Sequence, residues 1–187
     1  SKPGLHRLCV CPKEQALCQP HPGRQLKQQL APGIQAVGVF VKEDPETVVH
    51  LLEDGVIDVA QLHGGESEAY IRTLRQHTHK PILQAFRVDT PADLETAQAS
   101  SADYILLDSG DGGTGERFDW SLLAGATRLY FLAGGLDPEN VGGAVEKLKP
   151  YAVDVSSGIE TDGKKDPEKM RNFVRAVRGA VGEERDA

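Results

Sequence analysis

The chain has 187 residues, of which 39% are hydrophobic, 26% charged and 5% aromatic, enough for one well-buried core of ordinary globular composition. Its formal net charge of −7 argues against general affinity for nucleic acid or an anionic membrane. No apolar run approaches the roughly 18–20 residues that cross a bilayer, and no basic segment followed by an apolar one marks a signal peptide.

Residues 6–11 (HRLCVC) read as a strand, 13–18 as a stub of helix and 24–30 as a further helix. Cys9, Cys11 and Cys18 are odd in number and crowd into this end. That is no secreted disulfide framework, and it points to a reduced, cytoplasmic protein. Together with His21 these cysteines do not follow a standard zinc-ligand spacing, so no metal is expected.

From residue 36 strands and helices alternate. A strand at 36–41 (AVGVFV) precedes a helix over 44–54, opened by Asp44-Pro45-Glu46 with Asp as N-cap and Pro at the first helical position. The strand at 56–62 ends in QLHGGE, and 67–77 is helical. A strand at 81–88 leads to a helix over 91–99. The strand at 103–107 ends on Asp108, a glycine-rich loop follows, and Asp119-Trp120 opens a helix. The strand at 129–133 is closed by Gly134 and Gly135, and Asp137-Pro138-Glu139 opens a helix to 149. A last strand at 153–156 leads to Asp166-Pro167-Glu168 and a helix to 181.

Such alternation implies a parallel sheet with helical crossovers. No GxGxxG or P-loop follows any strand, and His63, Asp108, Gly134 and Ser156 stand at strand ends, so the expected fold is an α/β TIM-type (β/α)8 barrel. Two further units would have to precede residue 36, and residues 1–35 are too few for both. No apolar run between the strands at 6–11 and 36–41 can serve as a strand, so the second βα unit is expected to be missing or rearranged. The domain reading is one barrel over 1–187, atypical over 1–35 and regular over 36–181.

Six strings stand in order: GVFV at 38–41, QLHG at 61–64, LLD at 106–108, GGTG at 112–115 with FDW at 118–120, LAGGLDPENV at 132–141, and DVSSGIE at 154–160 followed by KD at 165–166. Over residues 36–180 this series resembles the phosphoribosylanthranilate isomerase family of tryptophan biosynthesis. The resemblance implies an Amadori rearrangement of a phosphosugar, without a cofactor, using one acid and one base.

Asp108 matches the family's acid; among apolar neighbours a carboxyl keeps its proton at neutral pH. The blander alternative is a salt-bridged or loop-capping Asp. The family's base is a cysteine in a first strand, for which Cys9 is the nearest match, with Cys11 two residues on. A free cysteine is otherwise a small buried hydrophobe. Arg24 matches an arginine that meets the anthranilate carboxylate, against a solvated surface residue. Gly134-Gly135 and Ser156-Ser157-Gly158 fit the phosphate site, since glycine admits close backbone approach and a short helix start favours an anion. Either glycine stretch alone reads as a tight turn. Asp154 is a candidate contact for the substrate amine and His63 for the sugar, each also readable as packing; Trp120 reads as core. Two alternatives stay open: a phosphosugar-binding barrel with impaired catalysis, and another phosphosugar-converting barrel. The only expected partner is a small phosphosugar, with no nucleic acid or membrane. The oligomeric state is left open.

Overall fold

The computed structural model describes residues 7–11, 22–108 and 120–182. The expected helix stub at 13–18, Cys18, His21, the glycine-rich loop at 110–115 and Asp119 lie outside the described residues, as do the side chains of residues 7–11 and of Arg24. Internal contacts divide the chain into two compact units, residues 1–86 with 99–106, and 87–98 with 107–187.

The first unit contains β1 (Arg7–Cys11), α1 (Pro22–Gln28), β2 (Ile34–Phe40), α2 (Pro45–Glu53), β3 (Val59–Leu62), α3 (Glu68–Arg75) and β4 (Ile82–Arg87), the last ending at the unit boundary. The helix over 45–53 forms as expected: the Asp44 carboxylate accepts from the Glu46 N–H at 2.8 Å, and Pro45 occupies the first turn. Alternate residues of the strands, Phe40, Ala60, Leu62 and Ile82, form one core with Val48 and Leu52 of α2 and Ile71 and Leu74 of α3. Leu52, Leu62, Ile71 and Leu74 are fully buried, each worth about 1.5–3 kcal/mol of transfer free energy as an upper bound. Gly38 lies on this same face because a Cβ there would stand 2.8 Å from Ile57 Cδ1.

β1 pairs with β2 in parallel, from Arg7 opposite Ile34 to Cys11 opposite Gly38. With the two strands hydrogen-bonded to each other, no strand stands between residues 7–11 and 34–40, against the expectation of a missing second βα unit there. Residues opposite each other in a parallel ladder share a face. In the ladder Cys9 stands opposite Ala36 and Cys11 opposite Gly38.

Two aspartates just ahead of strands tie the N-terminal ends of their neighbours. Asp58 Oδ2 accepts from the Ala36 N–H at 2.8 Å and Oδ1 meets Lys27 Nζ at 2.5 Å. Asp103 repeats the device, accepting from the Ile82 N–H at 2.7 Å and pairing with Arg75. Ala36 is fully buried, so its N–H has no solvent alternative. Asp58→Ala should therefore lower unfolding free energy by about 1–3 kcal/mol, mostly through that orphaned donor, because the part-exposed ion pair is screened. Denaturant titration checks this, and Asp58→Asn, which keeps an acceptor, should lose less. Equal stability of Asp58→Ala and the unsubstituted protein would remove the clamp.

β5 (Tyr104–Asp108) runs from one unit into the other. The second unit also holds α4 (Pro91–Gln98), a 3-10 turn at Trp120–Gly125, β6 (Tyr130–Ala133), α5 (Val141–Leu148), β7 (Ala152–Val153), a 3-10 turn at Ser157–Ile159, the hairpin β8 (Glu160–Thr161) and β9 (Lys164–Lys165), and α6 (Pro167–Ala180). Helices α5 and α6 pack on one another, burying Val141, Ala144, Phe173 and Val177. Asp166 caps α6 through the Glu168 and Lys169 N–H groups; these bonds and the Thr161 hydroxyl hold its carboxyl below the ordinary range. In strand order the parallel sheet runs β1 to β7 in sequence, a fold of the (β/α)8-barrel type.

Three elements differ from expectation. The helix after Asp119 is the short 3-10 turn, with Trp120 half-buried and Lys147 Nζ 5.8 Å from its ring centroid. Asp137-Pro138-Glu139 does not itself open α5, which starts at Val141, because the Asp137 and Asn140 side chains tie residues 137–140 into a turn. The last strand stops at Val153 rather than Ser156. Ser156 at φ −122°, ψ −88° has left the extended region, although the Asp154 N–H still reaches the Leu132 carbonyl at 2.8 Å.

Candidate active site

In the first unit a group of polar side chains gathers at the C-terminal end of β3. Gln61 is buried, and its amide nitrogen lies 3.1 Å from His63 Nδ1. His63 itself is exposed. The loop beyond is held by Glu66, 7% exposed, whose two carboxylate oxygens accept from the Lys42 N–H at 2.7 Å and the Gly64 N–H at 2.8 Å. That clasp joins the loop after β2 to the loop after β3. Lys42 sits in the left-handed region at φ 51°, and a Cβ on Gly64 would meet Glu66 Oε1 at 2.6 Å. Gln84 donates to the Glu66 carbonyl at 2.8 Å and accepts from Ser100, so the clasp is tied to β4.

A cavity of about 630 Å³ lies against the same loops, lined by Glu43, Asp44 and Glu66 with Lys42 and Tyr70. Three carboxylates against one ammonium make it a poor host for a phosphate. Tyr70 donates to the Glu43 carbonyl at 2.8 Å, and its hydroxyl is pushed up to about 12 by burial and by the neighbouring Glu66, Glu43 and Asp44 charges. Arg24 lies in α1, the helix that follows β1.

In the second unit Asp108 closes β5. Ile105, Leu106 and Leu107 are fully buried, Asp108 is half-buried, and its carbonyl accepts from the Val88 N–H at 3.0 Å. A carboxyl at a strand's C-terminal end, on a buried and anchored backbone, suits proton transfer. Beyond β6, Gly134 and Gly135 take φ of 92° and 57°, a path that favours glycine. Asn140 fixes that path: its amide donates to the Gly135 carbonyl at 2.9 Å and accepts from the Asp137 N–H at 3.0 Å.

Gly158 lies so close to this loop that a Cβ on it would stand 1.8 Å from the Leu136 carbonyl oxygen. The turn at 156–158 and the loop at 134–136 thus meet backbone to backbone, with Ser156, Ser157 and Gly135 exposed. Among the described residues, the Gly135 and Leu136 N–H groups find no acceptor. Asp154 is half-buried just beyond β7.

The second unit therefore brings together Gly134, Gly135, Ser156, Ser157 and Gly158. His63 stands in the first unit, as does Cys9 in β1. Sequence reasoning passed over Gln61, Glu66 and Asn140, although each lies in or beside a quoted string (QLHGGE, LAGGLDPENV). Among the described residues no three His, Cys, Asp or Glu side chains form a metal-sized cluster, and no helix is long and apolar enough to cross a membrane.

Residues 14–176 match the model of the N-(5'-phosphoribosyl)anthranilate (PRA) isomerase family. The protein named N-(5'-phosphoribosyl)anthranilate isomerase of Endomicrobium trichonymphae is 46% identical over 149 residues, 78% of this chain and 73% of that one. The crystal structure of phosphoribosyl anthranilate isomerase from Thermotoga maritima is 34% identical with a TM-score of 0.75, covering 92% of this chain and 86% of that one. A structure of phosphoribosyl anthranilate isomerase in complex with reduced 1-(o-carboxyphenylamino)-1-deoxyribulose 5-phosphate is 33% identical with a TM-score of 0.73, covering 92% and 86%. With a family match over residues 14–176 and 46% identity to a relative over 78% of the chain, the chain belongs to the N-(5'-phosphoribosyl)anthranilate isomerase family.

Proposed function

We propose that the chain is an isomerase of tryptophan biosynthesis, converting N-(5-phosphoribosyl)anthranilate to 1-(2-carboxyphenylamino)-1-deoxyribulose 5-phosphate. An acid protonates the furanose ring oxygen and the ring opens to an iminium. A base then takes the C2 proton, and the enolamine tautomerises to the ketone. Hydrogen moves within one molecule, so no cofactor enters the scheme.

Asp108 is the acid in this reading. The phosphate lies over Gly134-Gly135 and Ser156-Ser157-Gly158. What carries the assignment is the backbone contact between those two loops, which leaves the Gly135 and Leu136 N–H groups for an anion. A relative bound to a reduced product analogue, with one phosphate and one aryl carboxylate, supports the same substrate class. Arg24 meets the carboxylate. It lies in α1, directly after β1 and within the residues that match the family model. His63 meets the sugar, and Asp154 faces the amine.

Cys9 lies outside residues 14–176, the stretch that matches the family model, which weighs against it as the base. Cys9→Ser is therefore expected to keep turnover within about threefold. A loss of about 10²-fold or more would return Cys9 to the role of base. The function itself is tested by incubating the protein with N-(5-phosphoribosyl)anthranilate and following ketose formation against a protein-free control. Binding of the reduced product analogue without turnover would instead make this a phosphosugar-binding barrel.

A further inference from the structure

A chain of net charge −7 repels a phosphate unless a local cation offsets the field. In the second unit Lys165 of β9 touches the turn at 156–158: its ammonium donates to the Ser156 carbonyl at 2.9 Å and reaches the Ser156 hydroxyl at 3.5 Å. Glu160 Oε1 lies 2.6 Å from the same nitrogen, a contact built into the hairpin, where Glu160 is directly opposite Lys165. Lys169 donates to the Glu160 carbonyl at 2.6 Å, and the Asp166 N–H closes the hairpin on the Ile159 carbonyl at 2.8 Å. The hairpin therefore holds one ammonium at a fixed point beside the turn.

We propose that Lys165 is a positioning residue for phosphate binding, and that Glu160 sets how strongly its charge is felt; this rests on the phosphate site assigned above. A trans peptide points its carbonyl and the next N–H in opposite directions. By pulling the Ser156 carbonyl towards itself, Lys165 turns the Ser157 N–H away from the hairpin and frees it for an anion. The same ammonium adds a positive potential without touching the phosphate.

The test uses inorganic phosphate in calorimetric titrations alongside steady-state kinetics on the whole protein. Lys165→Met is expected to raise the phosphate Kd and the substrate KM about tenfold and to leave kcat within about threefold. Its log Kd should also depend less steeply on log salt, a change that lost packing would not produce. Lys165→Arg, which can still donate to the Ser156 carbonyl, should recover most of the loss. Phosphate affinity within twofold of the unsubstituted protein in Lys165→Met, or a fall in kcat at constant KM, would overturn the proposal. Ser157→Asp separates the two levels. If it abolishes phosphate binding while Lys165→Met does nothing, the role of Lys165 alone fails. If phosphate affinity ignores Ser157→Asp, the phosphate site itself fails and this inference with it.

Discussion

Asp108→Asn is expected to lower kcat by about 10²–10⁴ while KM changes by no more than a fewfold. Asparagine has nearly the volume of aspartic acid and still hydrogen-bonds, but it has no proton to give to the ring oxygen. The backbone at this position should not respond. Ile105 to Leu107 are fully buried immediately before it, and the Val88 N–H holds its carbonyl. A loss of rate at unchanged thermal stability is then chemical. Because ring opening precedes loss of the C2 proton, the variant should also fail to release any partly rearranged species. Turnover near that of the unsubstituted protein would remove Asp108 from the acid's role.

What the sequence made legible was local. The caps of α2 and α6 follow from Asp-Pro-Glu at 44–46 and 166–168, because an N-cap and its acceptor bonds span only four residues. The buried strands follow from unbroken apolar runs such as YILL at 104–107. Asp137-Pro138-Glu139 carries the same three letters and behaves differently, since Asn140 draws residues 135–140 into a turn before helix can form. Other features depend on partners far along the chain. Asp58 looks like any loop aspartate until the Ala36 N–H is brought to it, and Glu66 like any surface glutamate until Lys42 and Gly64 both donate to it. Register is of this kind too. A match to a family's first strand could be read from Leu8-Cys9, but only the ladder shows that residues 7–11 run directly beside residues 34–38.

Gly158→Ala should do more damage than its single added methyl suggests. The new Cβ would lie 1.8 Å from the Leu136 carbonyl oxygen, 2.9 Å from its carbonyl carbon and 3.1 Å from Asp137 Cα. All three are backbone atoms, so no side chain can swing aside. Leu136 is itself buried, and the segment that follows is locked by Asp137 and Asn140. The turn must retreat instead, at a cost of about 1–3 kcal/mol or more in unfolding free energy. Retreat also parts the two loops, so donors from the second no longer reach an anion held by the first. Losing one or two charge-assisted hydrogen bonds of about 1.5–3 kcal/mol each raises KM by roughly 10- to 100-fold or beyond. Asp108, the proposed acid, is untouched, so saturating substrate should restore much of kcat. Thermal unfolding and a KM measurement together decide the matter. If stability falls but KM holds, the contact is structural and the phosphate lies elsewhere. If neither moves, the two loops are not closed against each other at all.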